Sequence, residues 1–538
     1  MPHGGRLVAQ ALRSRGVSHL FTLSGGHLFS IYDGCKEEGI EIIDVRHEQT
    51  AVFAAEGFAK ATRTPGVAAL TAGPGVTNGM SAIATALYNR SPVTVLGGRA
   101  PEMRWGSGSL QEIDHLPFVS PLVKSAQTVK ETTAIAQVTA DAIDLAMSHP
   151  GGPTFVDYPL DVVFMEGEAE VPRPASPSSE IAVVAEEAAE LLAGAERPAI
   201  MAGTGLYWAH GEEALQKLAE QLGAPVFLNG MGRGCLPADH ELAFSRARGK
   251  GLKEADVALA IGLPLDFRLG FGQSFGEETK LLWLDSAPNA LERNRKPDFE
   301  MVGDIASVLE TLCELTSSGA DRARVRPWTQ SLRELETDKR EAERGELDDD
   351  RAPLHPMRIY RELAQVLDRD AIVIGDGGDF VSYAGKVVDT YQPGCWMDPG
   401  PYGCLGAGPG QAIGAKLAHP DRQVALLLGD GAFGFAGMEF DTMARHGIPV
   451  VGIIGNNGIW ALEHHPMKFL YGYSVAAELR PGTPYEKIAE ALGCHSELVS
   501  EPSELKPALE RAFESGKPAL VNVLTDPEVV YPRKSNLA

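Results

Sequence analysis

Two short polar runs interrupt the most apolar part of the chain. Gly429-Asp430-Gly431 closes the run "QVALLL", and Asn456-Asn457 closes "PVVGIIG", with 27 residues from Asp430 to Asn457. Both apolar runs read as buried strands and "AGMEFDTMARHG" between them as a helix, so the polar signals fall at the carboxyl ends of adjacent strands, where open parallel sheets take their ligands. A carboxylate oxygen of Asp430, the amide oxygen of Asn457 and the backbone carbonyl of Ile459 make an oxygen set suited to a hard divalent cation such as magnesium, completed by phosphate oxygens and water. Glycines at 429, 431 and 434 let a phosphate approach the backbone and the helix N-terminus that follows. Either run alone reads as readily as a tight turn; the pair at this spacing points to metal and phosphate. Upstream, Glu48 in "RHEQTAVFAAEGFAKA" stands before Val52 and Phe53. A carboxyl group in apolar surroundings suits proton exchange, with a helix-start cap as the other reading.

The elements that must position these groups recur three times along the chain. "HLFTL", "IEIIDV", "GVAALTAG", "SPVTVLGG" and "PTFVDYPLDV" are strand-like and alternate with helix-period segments, as do "RPAIMAGTG", "APVFLNG", "DVALAIG" and "KLLWLD", and then "AIVIGDGG", "QVALLLGDG", "PVVGIIGNN" and "PALVNVLT". This pattern predicts three consecutive α/β domains, each a doubly wound parallel sheet, over residues 1–165, 186–333 and 354–538. The Pro, Ser and Glu-rich passage "EGEAEVPRPASPSSE" and the charged run "ELETDKREAERGELDDDRAP" read as the two linkers.

Composition narrows the function. The chain has 538 residues, 44% hydrophobic and 22% charged, as expected for a globular protein of several domains. Its 48 basic and 72 acidic residues give a formal charge of −24, which opposes nucleic acid and requires any anionic ligand to be held by local devices. Six cysteines without a CxxC pair suggest reduced thiols and no zinc site. No apolar run is long enough for a signal or a membrane span, so a cytoplasmic protein with no membrane partner is expected.

The GDG and NN pair resembles the thiamine diphosphate motif of the decarboxylase and acetolactate synthase superfamily, and the resemblance extends over essentially the whole chain. It implies that Asp430, Asn457 and the Ile459 carbonyl hold magnesium, with Gly429, Gly431 and Ala432 beside the cofactor's diphosphate. "RHEQTAVFAAEGFAKATRTPGVAALTAGPGVTNG" is similar to the superfamily's pyrimidine-binding domain, which implies that Glu48 exchanges a proton with the aminopyrimidine ring. "PYGCLGAGPGQAIG" fits the segment that bends the cofactor, with Leu405 beneath the elbow and the Gly403 carbonyl at the amino group. Gln111 matches a glutamine that reaches over the reacting group. Asp379, in "GDGGDF", departs from the pattern, because a carboxylate beside phosphate is unfavourable unless it turns away. The histidines at 27, 47, 115, 446, 464 and 465 read as solvated or core residues, with His27 the best catalytic candidate among them.

Within the superfamily the signals divide. "AFGFAGMEF", "NNGIW", "GLPLDFRLGFG" and the tail "YPRKSNLA" resemble the 2-hydroxyacyl-CoA lyase and oxalyl-CoA decarboxylase branch, whereas "TAGPGVTNGMSAIATA" and "LQEIDH" are closer to acetolactate synthase. The Gly-Met-Val and Gln-Trp-Gln runs of the synthases are missing after Asn457. This favours a lyase that cleaves 2-hydroxyacyl-CoA to formyl-CoA and an aldehyde or ketone, with an acetolactate synthase acting on pyruvate as the alternative and a catalytically silent regulatory subunit as a reading of another class. The resemblance further implies ADP, or FAD, in the central domain near Asp285 and Asp304, and a homodimer or homotetramer with active sites between chains. It also implies an acyl-CoA thioester as partner, with a C-terminal lid over residues 531–538 in which Arg533 and Lys534 answer the CoA phosphates.

Overall fold

A computed structural model describes residues 1–173, 186–291 and 293–532. Three six-stranded sheets follow one another, and every strand pairing in them is parallel. The first holds β1 (His19–Thr22), β2 (Glu41–Asp44), β3 (Gly66–Leu70), β4 (Val93–Arg99), β5 (Ala126–Thr128) and β6 (Thr154–Pro159) in the order β2-β1-β3-β4-β6-β5. The second holds β7 (Pro198–Ala202), β8 (Val226–Leu228), β9 (Ala243–Phe244), β10 (Val257–Ile261), β11 (Lys280–Asp285) and β12 (Phe299–Val302), ordered β12-β11-β10-β7-β8-β9. The third holds β13 (Ile372–Asp376), β14 (Trp396–Met397), β15 (Val424–Gly429), β16 (Val451–Asn456), β17 (His495–Val499) and β18 (Ala519–Leu524), ordered β14-β13-β15-β16-β18-β17. The first and third sheets therefore share one strand order, and the middle one has the dinucleotide-fold order.

The predicted strands are present, and their apolar composition has a direct cause. Central strands such as β3 and β4 are buried along their whole length, as parallel strands covered by helices on both faces must be. The charged run expected as a second linker is instead largely helical. A helix spans Arg322–Ala342 and a short one Arg344–Leu347, and Glu336 in it is buried, accepting from Ser245 and Ala247 amides at 3.1 and 2.8 Å.

One helix ties the three sheets together. The Glu48 helix (Glu48–Thr62) lies along the Gln411 helix (Ala407–Ala418) of the third domain at a separation that only glycines permit. A Cβ on Gly57 would stand 2.3 Å from the Gln411 carbonyl oxygen, and one on Gly414 2.1 Å from that of Ala54. Between them Glu56 and Lys60 form a fully buried ion pair at 3.0 Å. Glu56 also accepts from Asn89 (2.8 Å), Ser91 (3.0 Å) and Gln411 (3.0 Å), so its charge is fully hydrogen-bonded. The Tyr207 hydroxyl of the middle domain donates to the Lys60 carbonyl, and Trp208 Nε1 donates to that of Asn89 at 3.1 Å.

Breaking this pair leaves a buried charge without its partner. Glu56→Ala should lower stability by about 3–5 kcal/mol, whereas replacing Glu56 and Lys60 together with Leu and Met should recover most of that loss. Thermal unfolding of the three proteins checks it; an unaffected midpoint in the single variant would contradict the assignment.

Candidate active site

At the carboxyl edge of the third sheet, Gly429 pairs with Gly455, which sets the end of β15 beside the end of β16. Asp430 is the first residue of a short helix, Asp430–Ala436, and is buried. Its Oδ1 accepts from the Gly431 amide at 2.9 Å and its Oδ2 from the Gly458 amide at 2.7 Å, so the two polar runs are joined directly. Asn457 Oδ1 accepts from the Ile459 amide at 3.1 Å. Ile459 bridges to Glu478, but the bonds of that bridge run from Trp460 N to Ala477 O and from Leu479 N to Gly458 O, so the Ile459 carbonyl takes no part in it.

Burial pushes the Asp430 carboxyl up to about 6 against the pull of its backbone donors, and Asp379 adds to the rise; among the described residues none of these groups is a cation. A buried acid without a cation, bonded through Gly458 to the segment that carries Asn457 and Ile459, fits a hard divalent ion. Among the described residues no cluster of three or more His, Cys, Asp or Glu could hold a metal, so such an ion must complete its shell with ligand oxygens. Cβ atoms at Gly429 and Gly434 would meet nothing within 4 Å, which leaves the strand end open to a diphosphate. At Gly431 a Cβ would clash with the Trp460 ring at 2.5 Å, so this glycine admits the indole.

The neighbouring strand end contributes a group that sequence reasoning missed. Asp376 closes β13, is fully buried, and is pushed up to about 7 by burial. It accepts from the Gly406 and Gly408 amides at 3.2 and 2.8 Å, and so anchors the loop that presents Gly403 and Leu405. Its signal was the first Gly-Asp-Gly, at 375–377, which repeats the motif of β15 one strand away. Asp379 starts the helix Asp379–Val387, and burial raises its carboxyl as well.

Glu48, first in its helix, is 8% exposed and does not cap it; the His47 side chain accepts from Gln49 N at 3.2 Å instead. Asn78 Nδ2 donates to Glu48 Oε2 at 3.0 Å from the helix Pro74–Tyr88. A side chain on Gly406 would lie 3.2 Å from Gln49 Nε2, which places this helix end against the 403–406 loop of the same chain. Gln111 is half-buried at φ +59° and stands against Gly73. His27 is buried, its Nδ1 3.1 Å from Thr71 Oγ1.

The two central-domain carboxylates expected at a nucleotide both have protein partners. Asp285 is fully buried and taken by Arg90 of the first domain, whose Nη2 donates to Oδ2 at 2.9 Å and Nη1 to Oδ1, while the Ser286 amide donates to Oδ1 at 2.7 Å. Asp304 caps the helix Ile305–Thr316 by accepting from Ser307 N at 2.8 Å. Both carboxylates are thus engaged by protein groups. Arg533 and Lys534 lie outside the described residues. No helix of the described residues is long and apolar enough to cross a membrane.

This fold and this pair of strand ends define a thiamine diphosphate enzyme, and the comparisons agree. Residues 2–118 match the thiamine pyrophosphate enzyme N-terminal TPP binding domain, 185–312 the central domain and 376–523 the C-terminal TPP binding domain. The chain belongs to this family and, within it, to the branch of acetolactate synthases and 2-hydroxyacyl-CoA lyases. It is 57% identical to a probable acetolactate synthase of Mycobacterium bovis, covering 100% of this chain and 98% of the relative. It is 35% identical to 2-hydroxyacyl-CoA lyase 2 of Caenorhabditis elegans, covering 97% and 89%, and 31% identical to a 2-hydroxyacyl-CoA lyase of Arabidopsis thaliana, covering 97% and 96%.

The Asp430 carboxyl titrates near 6 in the fold and near 3.8 in an unfolded chain. The folded state therefore holds the extra proton between these values, and stability contributed by this group falls as pH rises through 6. Relative to the parent, cofactor-free Asp430→Asn should fare better at about pH 8 than at about pH 5, by on the order of 1 kcal/mol. It should also lose the rise in melting temperature that magnesium and thiamine diphosphate give the parent. Melting curves that track the parent at both pH values, with the ligand effect intact, would contradict the site.

Proposed function

We propose that this protein is a thiamine diphosphate-dependent carboligase of the acetolactate synthase type, acting on pyruvate. The observation that carries this reading is the 57% identity, over the full chain, to a relative of that name. Asp430, Asn457 and the Ile459 carbonyl would hold magnesium, and Gly429, Gly431 and Ala432 would face the diphosphate. Gly403 and Leu405, on the loop fixed by Asp376, would receive the pyrimidine end. When bound, the cofactor supplies the nucleophilic carbon and the electron sink for making or breaking a carbon–carbon bond beside a carbonyl. Glu48 would give or take a proton at the pyrimidine end; Asn78 holds its Oε2, which would leave Oε1 for that exchange. Gln111 orients the substrate carbonyl.

A second reading has its own support. The run "GIWALEHHPMKFLYGYSVAAELRPGTPY" after Asn457 departs from the synthase pattern, and lyases match 97% of the chain. In this reading the same residues cleave 2-hydroxyacyl-CoA to formyl-CoA and an aldehyde or ketone. Assembly as a dimer or tetramer belongs to both readings, since Phe435 and Tyr402, beside the site, are 54% and 46% exposed and a second copy would cover them.

Product analysis with pyruvate and with 2-hydroxyacyl-CoA thioesters separates the two. Acetolactate from pyruvate is expected; formyl-CoA release with no turnover of pyruvate would overturn the first reading for the second. Glu48→Gln should keep cofactor binding and lose at least about 100-fold in turnover on whichever substrate serves. Near-parental turnover in the purified variant would remove Glu48 from the mechanism.

A further inference from the structure

At the carboxyl edge of the first sheet His115 is completely buried and bonded at both ring nitrogens. Its Nε2 accepts from the Gly73 amide at 2.9 Å. Because an amide only donates, Nε2 carries no hydrogen, and the ring proton sits on Nδ1, which faces the two Asp157 oxygens at 3.1 and 3.2 Å. Asp157 is itself buried on β6 and accepts from Arg99 Nη1 at 3.1 Å, with the Arg99 guanidinium stacked 3.6 Å over Trp105. Partners on both sides thus fix the tautomer and the plane of the imidazole.

What the ring holds is a junction between two site residues. Gly73 has φ +62° and ψ −113°, a conformation other residues avoid, and caps the helix Pro74–Tyr88 that carries Asn78, the donor to Glu48. A Cβ on Gly73 would lie 3.0 Å from Gln111 Cβ, so the turn also supports Gln111, itself held at an unfavourable φ of +59°. We propose that His115 is a positioning residue: through its bond to the Gly73 amide it sets both Gln111 and the Asn78–Glu48 contact, with Asp157 and Arg99 locking the ring. This rests on the roles given above to Gln111 and Glu48.

Glutamine places an acceptor near the Nε2 position, whereas asparagine places a donor near Nδ1 and leaves Gly73 without a partner. His115→Gln should stay within about threefold of the parental turnover, and His115→Asn should lose at least about tenfold in turnover with little change in thiamine diphosphate affinity, as expected when geometry alone is disturbed. Hydrogen exchange followed by mass spectrometry on the peptide containing Gly73 should show protection in the parent and in His115→Gln and loss of it in His115→Asn. Equal turnover in the two variants, or a rapidly exchanging Gly73 amide in the parent, which needs no variant to measure, would overturn the proposal. Gln111→Ala and Glu48→Gln that both turn over normally would instead defeat the functional roles, while the Gly73 exchange data would still report on the bond itself.

Discussion

The close approach of the Glu48 and Gln411 helices is the constraint on which the arrangement depends. Ordinary side chains would hold two helices 8–10 Å apart, but here glycines at 57, 410 and 414 let backbone meet backbone and side-chain stem. The register of that contact brings Glu48, at the start of one helix, to the loop that begins the other. The Glu56–Lys60 pair in the seam adds specificity: its partners Asn89 and Ser91 come from the turn that follows the Pro74–Tyr88 helix and Gln411 from the facing helix, so a slipped register would strand a buried charge. Dispersion and hydrophobic burial make the interface favourable, and the buried polar network makes it unique.

Electrostatics works against this architecture at the ligand edge. Asp376, Asp379 and Asp430 gather at the ends of β13 and β15 in a protein of charge −24, and burial raises all three. Such a cluster is costly by itself and a divalent cation would relieve it, which would couple metal, diphosphate and fold through these carboxylates. Asp376 spends its acceptor capacity on two amides of the 403–408 segment, which converts a buried acid into a clamp for the loop.

Much of this was legible in the sequence, for physical reasons. Gly429-Asp430-Gly431 and Asn456-Asn457 stood out because β15 and β16 carry no other polar side chain, and parallel pairing then forces their ends together. The edge strands β5, β9, β12, β14 and β17 were not read from the sequence: two to five residues at a sheet edge carry little periodicity or apolar signal. The charged run at 334–353 reads as a linker because its charges suggest solvent, yet its first part completes the Arg322–Ala342 helix and Glu336 in it is buried by bonds to residues about 90 positions away. Asp285 looked like a ribose ligand at a strand end; only the tertiary structure shows Arg90 from another domain upon it. His115 was indistinguishable from a core histidine until Gly73 and Asp157 appeared on either side of its ring.

The central claim is that one cation joins the two strand ends of the third sheet to a diphosphate. A crystal structure with thiamine diphosphate and manganese in place of magnesium tests it directly through the anomalous signal. One peak is expected within roughly 2.1–2.2 Å of Asp430, Asn457 and the Ile459 carbonyl, with diphosphate oxygens completing the shell. A manganese ion bound elsewhere, or a diphosphate seated away from Gly429 with no ion at Asp430, would contradict the account.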